Sequence, residues 1–458
     1  MAILDAVRKT NRYDYWITFL LLLVLLLLRS SDRILDPVIW AEDSTYISGI
    51  LQNGFFDIFK AQFGYYQSLQ RFLCWCVMLC PVKFWPLLLT SCCYLIYAGV
   101  FAVFSKSDYD EVIPSRVNRI LACSVFAFLP GTCEILGNTP NLGWVLAVYV
   151  GLVCLKKVGE KPTWLELGLS TLCMSGAGQT SILLPLLLYR LYLLVPPGKN
   201  LSFKSWGVEF QRYFILLILQ LIFLCLNYFA RASNDQYIPT QLPSLLDLWS
   251  AWFYGTVNGI VLQPLLGTHW THVIGKSARV LLWGIALAVG TAISVLFFKL
   301  EKSKRLGIVF ALSWSSAIIL CSLVRGWGNE YYSSPIFIED SRSRSSFVLG
   351  AGAVFLWFAI VPHLKWKGKL VSRIGIPFYC LWYFILNGAG DNFFIDSFRG
   401  RKETQWSNHY QVLETAIQRG CPKHLLVAVE PPGWKIEYQG PVRGECPPEK
   451  KSDANERI

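Results

Sequence analysis

Charge is scarce in this chain. Only 16% of its 458 residues are Asp, Glu, Lys or Arg, while 54% are hydrophobic, 15% are aromatic and mean hydropathy is +0.42. A soluble enzyme does not carry that balance, and the composition fits a protein that crosses a bilayer repeatedly. The chain has no Walker or GxGxxG sequence to cradle phosphates, no nucleophile elbow, no EF-hand and no internal repeat, which argues against ATP-driven transport by this chain alone. Its 14 cysteines form no C-x-x-C pair, and all but Cys421 and Cys446 fall in or beside apolar segments, as small buried hydrophobes do. Histidine is rare as well. His269 and His272 stand three apart, but no Glu completes a metalloprotease pattern. The surrounding Leu245 to Trp270, with Trp249, Trp252, Phe253 and Tyr254, reads instead as an interfacial aromatic stretch, or as rings lining a groove for a lipid. The net charge of +12 forms no contiguous basic patch, so its expected partners are anionic membrane lipids and not nucleic acid.

Long apolar runs are what the chain has instead. Trp16 to Leu28 reads WITFLLLLVLLLL after Arg8, Lys9 and Arg12, so it should insert with the N-terminus in the cytoplasm. A cleaved signal peptide is the weaker reading, because Arg29 to Asp32 offers no small-residue cleavage site and many further runs follow. Runs near 16–34, 84–104, 118–133, 143–155, 164–177, 179–195, 211–229, 277–298, 307–324, 346–362 and 374–388 make eleven candidate spans. The expected fold is therefore an all-α polytopic membrane domain over 1–388, followed by a small α+β module over 389–458. Half of the 42 lysines and arginines fall in the six segments that would face inward, whereas the longer outer loops hold about a quarter. That count requires Gln67 to Cys80 to lie on the membrane surface without spanning; its apolar core is too short to cross. The C-terminus is then expected outside, opposite the N-terminus.

This topology makes 35–83 a long first outer loop, DPVIWAEDSTYISGILQNGFFDIFKAQFGYYQSLQR at its start, aromatic and carrying an acidic pair. A carboxylate soon after the first span, in a loop held at the interface, is a candidate for chemistry. The competing reading is a solvated pair at the start of a helix over Ser44 to Leu51. A long first outer loop with an acidic pair, followed by many spans, resembles the C-type fold (GT-C) glycosyltransferases. More narrowly, W-A-E-D followed by Gly54, Gly64, Tyr65, Tyr66 and Arg71 is similar to a group of bacterial membrane proteins with such a loop, although Ser44 stands where Gly is expected. The resemblance implies transfer of a sugar from a polyprenyl-phosphate carrier to a glycan, lipid or protein acceptor on the outer face, usually with inversion. It also implies one carboxylate as base: Asp43, with Glu42 or Asp36 as substitutes.

The chemistry is coherent in its own right. An attacking hydroxyl must lose its proton as it bonds to the anomeric carbon, and the lipid phosphate that leaves must have its charge stabilised. Arg is the side chain suited to that charge, and Arg71, Arg325, Arg342 and Arg344 are the outer candidates; each could equally snorkel to headgroups. Pro130 to Trp144, PGTCEILGNTPNLGW, brings Glu134, Asn138 and Asn141 to the same side as Asp43. Those residues suit sugar hydroxyls, or simply make a tight turn. No metal site is predicted and no cofactor is required, while assistance by a divalent metal stays open. In the tail, Trp406, Tyr410, Leu413 and Ile417 recur at helical spacing within Glu403 to Arg419, and LLVAVEPPGWKIEY reads as two strands around a turn. So small a module should lean on the membrane domain. Cys421 and Cys446 bracket it and could pair on an oxidising side, Trp434 would close its core or stack on a sugar, and the final PPEKKSDANERI reads as disordered. A polysaccharide polymerase, a lipid-carrier flippase, a secondary transporter and a purely structural subunit are the rival readings.

Overall fold

The computed structural model describes residues 2–62, 65–129, 132–195, 207–232, 244–246, 266, 279–325, 344–361, 370–389, 406–419, 424–429 and 434–439. Most of this is helix. The first apolar run forms the C-terminal part of α1 (Ala2–Arg29) and is followed by one short turn of helix, α2 (Asp32–Leu35). The acidic pair opens α3 (Ala41–Asn53), which ends where Gly54 takes φ 62° and turns the chain into a 3-10 segment, Gly54–Phe59. A two-residue hairpin, β1 (Ala61–Gln62) with β2 (Tyr65–Tyr66), leads into α4 (Ser68–Met78). With 11 residues, α4 is about half the length a perpendicular span needs.

Five helices then build the bundle: α5 (Trp85–Ala102), α6 (Arg116–Phe126), α8 (Leu142–Leu155), α9 (Trp164–Gly176) and α10 (Leu184–Leu194), with the single turn α7 (Thr132–Leu136) before α8. They are joined by α11 (Val208–Ala232), α12 (Arg279–Lys299), α13 (Leu306–Arg325), α14 (Arg344–Ile360) and α15 (Leu370–Tyr383). The hub is α8, in which every residue is buried. Gly151 on α8 lets the Phe310 ring lie directly against the helix backbone, where any Cβ would overlap it. Around that contact Phe310 meets Phe355 edge-on at 4.5 Å, and Phe101 stacks on Phe126 at 4.3 Å.

Among the described residues two helical stretches, Val82–Ser105 and Val208–Ala230, are long and apolar enough to cross a membrane. The pair Trp164–Gly176 and Gly178–Leu194, bent by 119°, makes a third if taken as one broken span. The sequence expectation of eleven crossings is thus met only in its coarser form, an apolar helical bundle with spans. Helices such as α8, at 14 residues, are shorter than a lipid-facing crossing and are enclosed by other helices instead.

Polar contacts sort the loops into two ends. At one end Arg116 binds Asp14 at 2.7 Å, Lys156 holds Asp108 at 3.0 Å and Glu166 at 3.1 Å, Arg190 meets Glu209 at 2.6 Å, and the Tyr189 hydroxyl donates to the Lys302 carbonyl at 3.0 Å. These are the segments that the basic-residue count grouped together. At the other end lie α3, α4, the 137–141 turn, the Gly176–Gly178 break and Asn227, whose side chain accepts from the Tyr66 amide at 2.9 Å.

The tail forms α16 (Trp406–Arg419) and an antiparallel hairpin, β3 (His424–Val429) with β4 (Trp434–Gln439), in which Val427 faces Ile436. Trp406, Leu413, Val427, Ile436 and Tyr438 share one apolar cluster with Tyr46, Ile47 and Ile50 of α3 and with Trp85. The module therefore packs on the first loop, and the Glu437 amide donates to the Ser48 hydroxyl at 2.8 Å. Cys421, Cys446, the final twelve residues and the Trp434 side chain lie outside the described residues, as do His269, His272 and nearly all of the 245–270 stretch.

Candidate functional site

Asp43 lies in the first turn of α3 and is 2% exposed. What keeps it buried is the turn before α8. Asn138 is extended, Thr139 opens a 3-10 turn with Pro140 as its second residue, and this geometry aims the Thr139 amide at α3. The Thr139 N–H donates to Asp43 Oδ1 at 3.1 Å, and its hydroxyl donates to the same oxygen. Both bonds go to Oδ1. Next to them the Asn138 amide donates to Glu42 Oε2 at 2.6 Å. Because a carboxylate only accepts, this bond fixes the Asn138 orientation and leaves its buried Oδ1 without a partner among the described residues.

Burial raises the Asp43 carboxyl to about 8, the two Thr139 bonds pull it back in part, and the neighbouring Glu42 charge raises it further. Desolvation is the largest of these effects, since the carboxyl is buried within the fold. Cys74 of α4 approaches the Thr139 hydroxyl at 3.7 Å, and burial pushes its thiol up, so it stays protonated. The helix continues through Ser44, whose hydroxyl donates to the Ala41 carbonyl at 2.6 Å, so serine in place of glycine makes no break.

The other expected residues are distributed unevenly. Asp36 is exposed at the end of α2, where its backbone N–H donates to the Asp32 carbonyl. Arg71 is buried in an ion pair with Asp57, donates to the Asp57 carbonyl at 3.0 Å and covers the Tyr46 ring at 4.8 Å. It fastens the 3-10 turn beneath α3, and Gly49 makes room for the Asp57 carboxylate there. Glu134 sits in α7, and Arg325 and Arg344 end α13 and begin α14; their side chains lie outside the described residues, as does Arg342 entirely. Asn141 is buried at the start of α8.

Two participants were not foreseen. Thr139 supplies the bonds to Asp43, and Arg33 lies buried over the Trp40 ring at 5.1 Å, beside Gly137. Among the described residues no three His, Cys, Asp or Glu side chains gather to hold a metal. Comparison with protein-family models, curated proteins and solved structures finds no match to this chain.

Proposed function

We propose that the protein is an integral-membrane glycosyltransferase of the C-type fold, taking a sugar from a polyprenyl-phosphate carrier to a cell-envelope acceptor on the outer face of a bacterial inner membrane. The observation that carries this reading is Asp43: a buried carboxyl of raised proton affinity, held by Thr139 through one oxygen only, in the loop after the first apolar helix. In this scheme the Asp43 carboxylate accepts the proton of the acceptor hydroxyl while the hydroxyl oxygen bonds to the anomeric carbon. The bond from the anomeric carbon to the phosphate oxygen breaks, and the carrier phosphate leaves with the electron pair. A base of this kind acts only when ionised, so the rate rises as Asp43 loses its proton. The end of the bundle carrying Asp43 faces outward, and the Lys156 end faces the cytoplasm.

Mass spectrometry of envelope glycans and lipid-linked sugars tests the reading in cells that lack the protein. Loss of a discrete sugar from an acceptor, with accumulation of its carrier-linked form, supports it. An unchanged profile of both refutes it. The 119° break between α9 and α10 is the feature a secondary transporter would share, and solute uptake driven by an ion gradient in vesicles would favour that reading instead.

A further inference from the structure

We propose that the first loop docks on the bilayer through a single aromatic face shared by the 54–59 turn and α4, and that its partner is the headgroup–acyl boundary of the leaflet at the Asp43 end. This adds a second element, the turn, to the 67–80 segment expected to lie on the surface. It holds whether or not the chain transfers sugar.

Both elements are inverted in polarity. In the Gly54–Phe59 turn the charged Asp57 is buried, whereas Phe55, Phe56 and Phe59 are exposed, Phe56 to 76%. In α4 the polar side chains face inward: Gln70 donates to the Gly176 carbonyl and Arg71 pairs with Asp57. The opposite side carries Phe72, Trp75 and Leu79 at helical spacing, with Leu79 exposed to 70%. Charge inside and rings outside is the reverse of a surface made for water. The rings of the two elements also touch. Phe55 meets Trp75 edge-on at 5.0 Å and Phe59 at 6.0 Å, while Phe72 stacks on Trp75 at 6.1 Å, so turn and helix present one patch.

The surroundings of the patch select lipid over a second protein chain. The stretch Val82–Ser105, long and apolar enough to cross a membrane, begins shortly after α4 ends at Met78, so the patch is continuous with a lipid-facing segment. At 11 residues α4 is too short to cross, and its apolar side has to lie along the surface. Exposed lysines flank the rings. Lys60 follows Phe59, and the Lys83 ammonium lies over the exposed Phe84 ring at 4.6 Å. Amines beside aromatic rings suit the depth at which headgroups begin. From within, the same turn is tied to the Asp43 helix, because Asn53 of α3 donates to Asp57 Oδ1 at 3.2 Å. Docking of the turn therefore fixes the height of α3 against the membrane.

The test places p-benzoylphenylalanine at position 56, 79 or 418 of the full-length protein in liposomes of phosphatidylcholine and phosphatidylglycerol. Gln418 is an exposed polar residue of α16 and serves as the water-facing control. After irradiation, mass spectrometry should find lipid adducts at 56 and 79 and none at 418. Adducts to a second copy of the chain, or no adduct at 56 and 79, overturn the assignment to lipid. Equal lipid labelling at 418 overturns its confinement to this face. Phe56→Ser combined with Leu79→Ser removes two side chains that are mostly exposed, so the fold loses little within itself. Hydrogen exchange in the same liposomes should then quicken over 41–59 while α8 keeps its protection. Unchanged exchange over 41–59 overturns the anchoring of α3 by the patch.

Discussion

Thr139 gives Asp43 two hydrogen bonds at a single oxygen, from its amide at 3.1 Å and from its hydroxyl, across 96 residues of sequence. These bonds oppose the desolvation that raises the Asp43 carboxyl to about 8. Thr139→Val keeps the amide bond and the shape of the residue and removes the hydroxyl. The Asp43 proton should then be held more tightly, so the ascending limb of the pH–rate profile, expected near pH 8 in the wild type, should move to higher pH. At neutral pH activity should fall by about tenfold or less, as for loss of one hydrogen bond to a charged group. An unmoved profile would separate Thr139 from the titration.

Asp43 also makes stability depend on pH. In the unfolded chain it ionises near 3.8, whereas in the folded protein it keeps its proton to about 8. Between those values the native state binds more protons, so this residue's contribution to stability falls as pH rises through the window. Asp43→Asn has no such titration and retains an oxygen to accept from Thr139. Thermal unfolding in detergent should show the variant gaining on the wild type as pH is raised from 5 to 8. A difference that does not change with pH would place the folded-state ionisation elsewhere.

The Asp57–Arg71 pair is buried on both sides. Removing either partner leaves an uncompensated charge, and Arg71→Met or Asp57→Leu alone should each cost about 3–5 kcal/mol. The double variant should recover much of that loss, a coupling that a double-mutant cycle in urea measures. Additive losses would mean that the two side chains act independently.

Ile436 is fully buried in the cluster that β4 shares with α3. Ile436→Asp should unseat the hairpin and expose the backbone of the Asp43 helix. Hydrogen exchange should therefore quicken in 41–53 while α8 keeps its protection. Unchanged exchange in α3 would show that the module rests on the loop without supporting it.

Periodic features were legible in the sequence, and long-range pairings were not. Trp406, Leu413 and Ile417 announced α16 by their spacing, and the strands around the Pro-Pro-Gly turn followed from alternation. Asp43 was legible because its position after an apolar run is local information. Thr139 was hidden: its role is an amide N–H and a hydroxyl inside a stretch that reads as an ordinary turn. Arg71 looked like an outer cation because nothing in sequence marks Asp57, in a separate 3-10 turn, as its partner. Arg33 is not singled out by the sequence, since its stacking on Trp40 and its approach to Gly137 exist only in the folded loop. Apolar runs mark eleven candidate crossings, of which two stand among the described residues as single helices long enough to span, because a run enclosed by other helices, as in α8, needs no length to match the bilayer.

The central claim is that Asp43 is the base of a sugar transfer. The direct measurement is the glycan and lipid-linked sugar profile, by mass spectrometry, of cells carrying the wild type, Asp43→Asn or a deletion, at matched membrane protein levels. The account predicts that Asp43→Asn reproduces the deletion, with one sugar missing from the acceptor and its carrier-linked form accumulated. A wild-type profile in Asp43→Asn beside a changed profile in the deletion would contradict it.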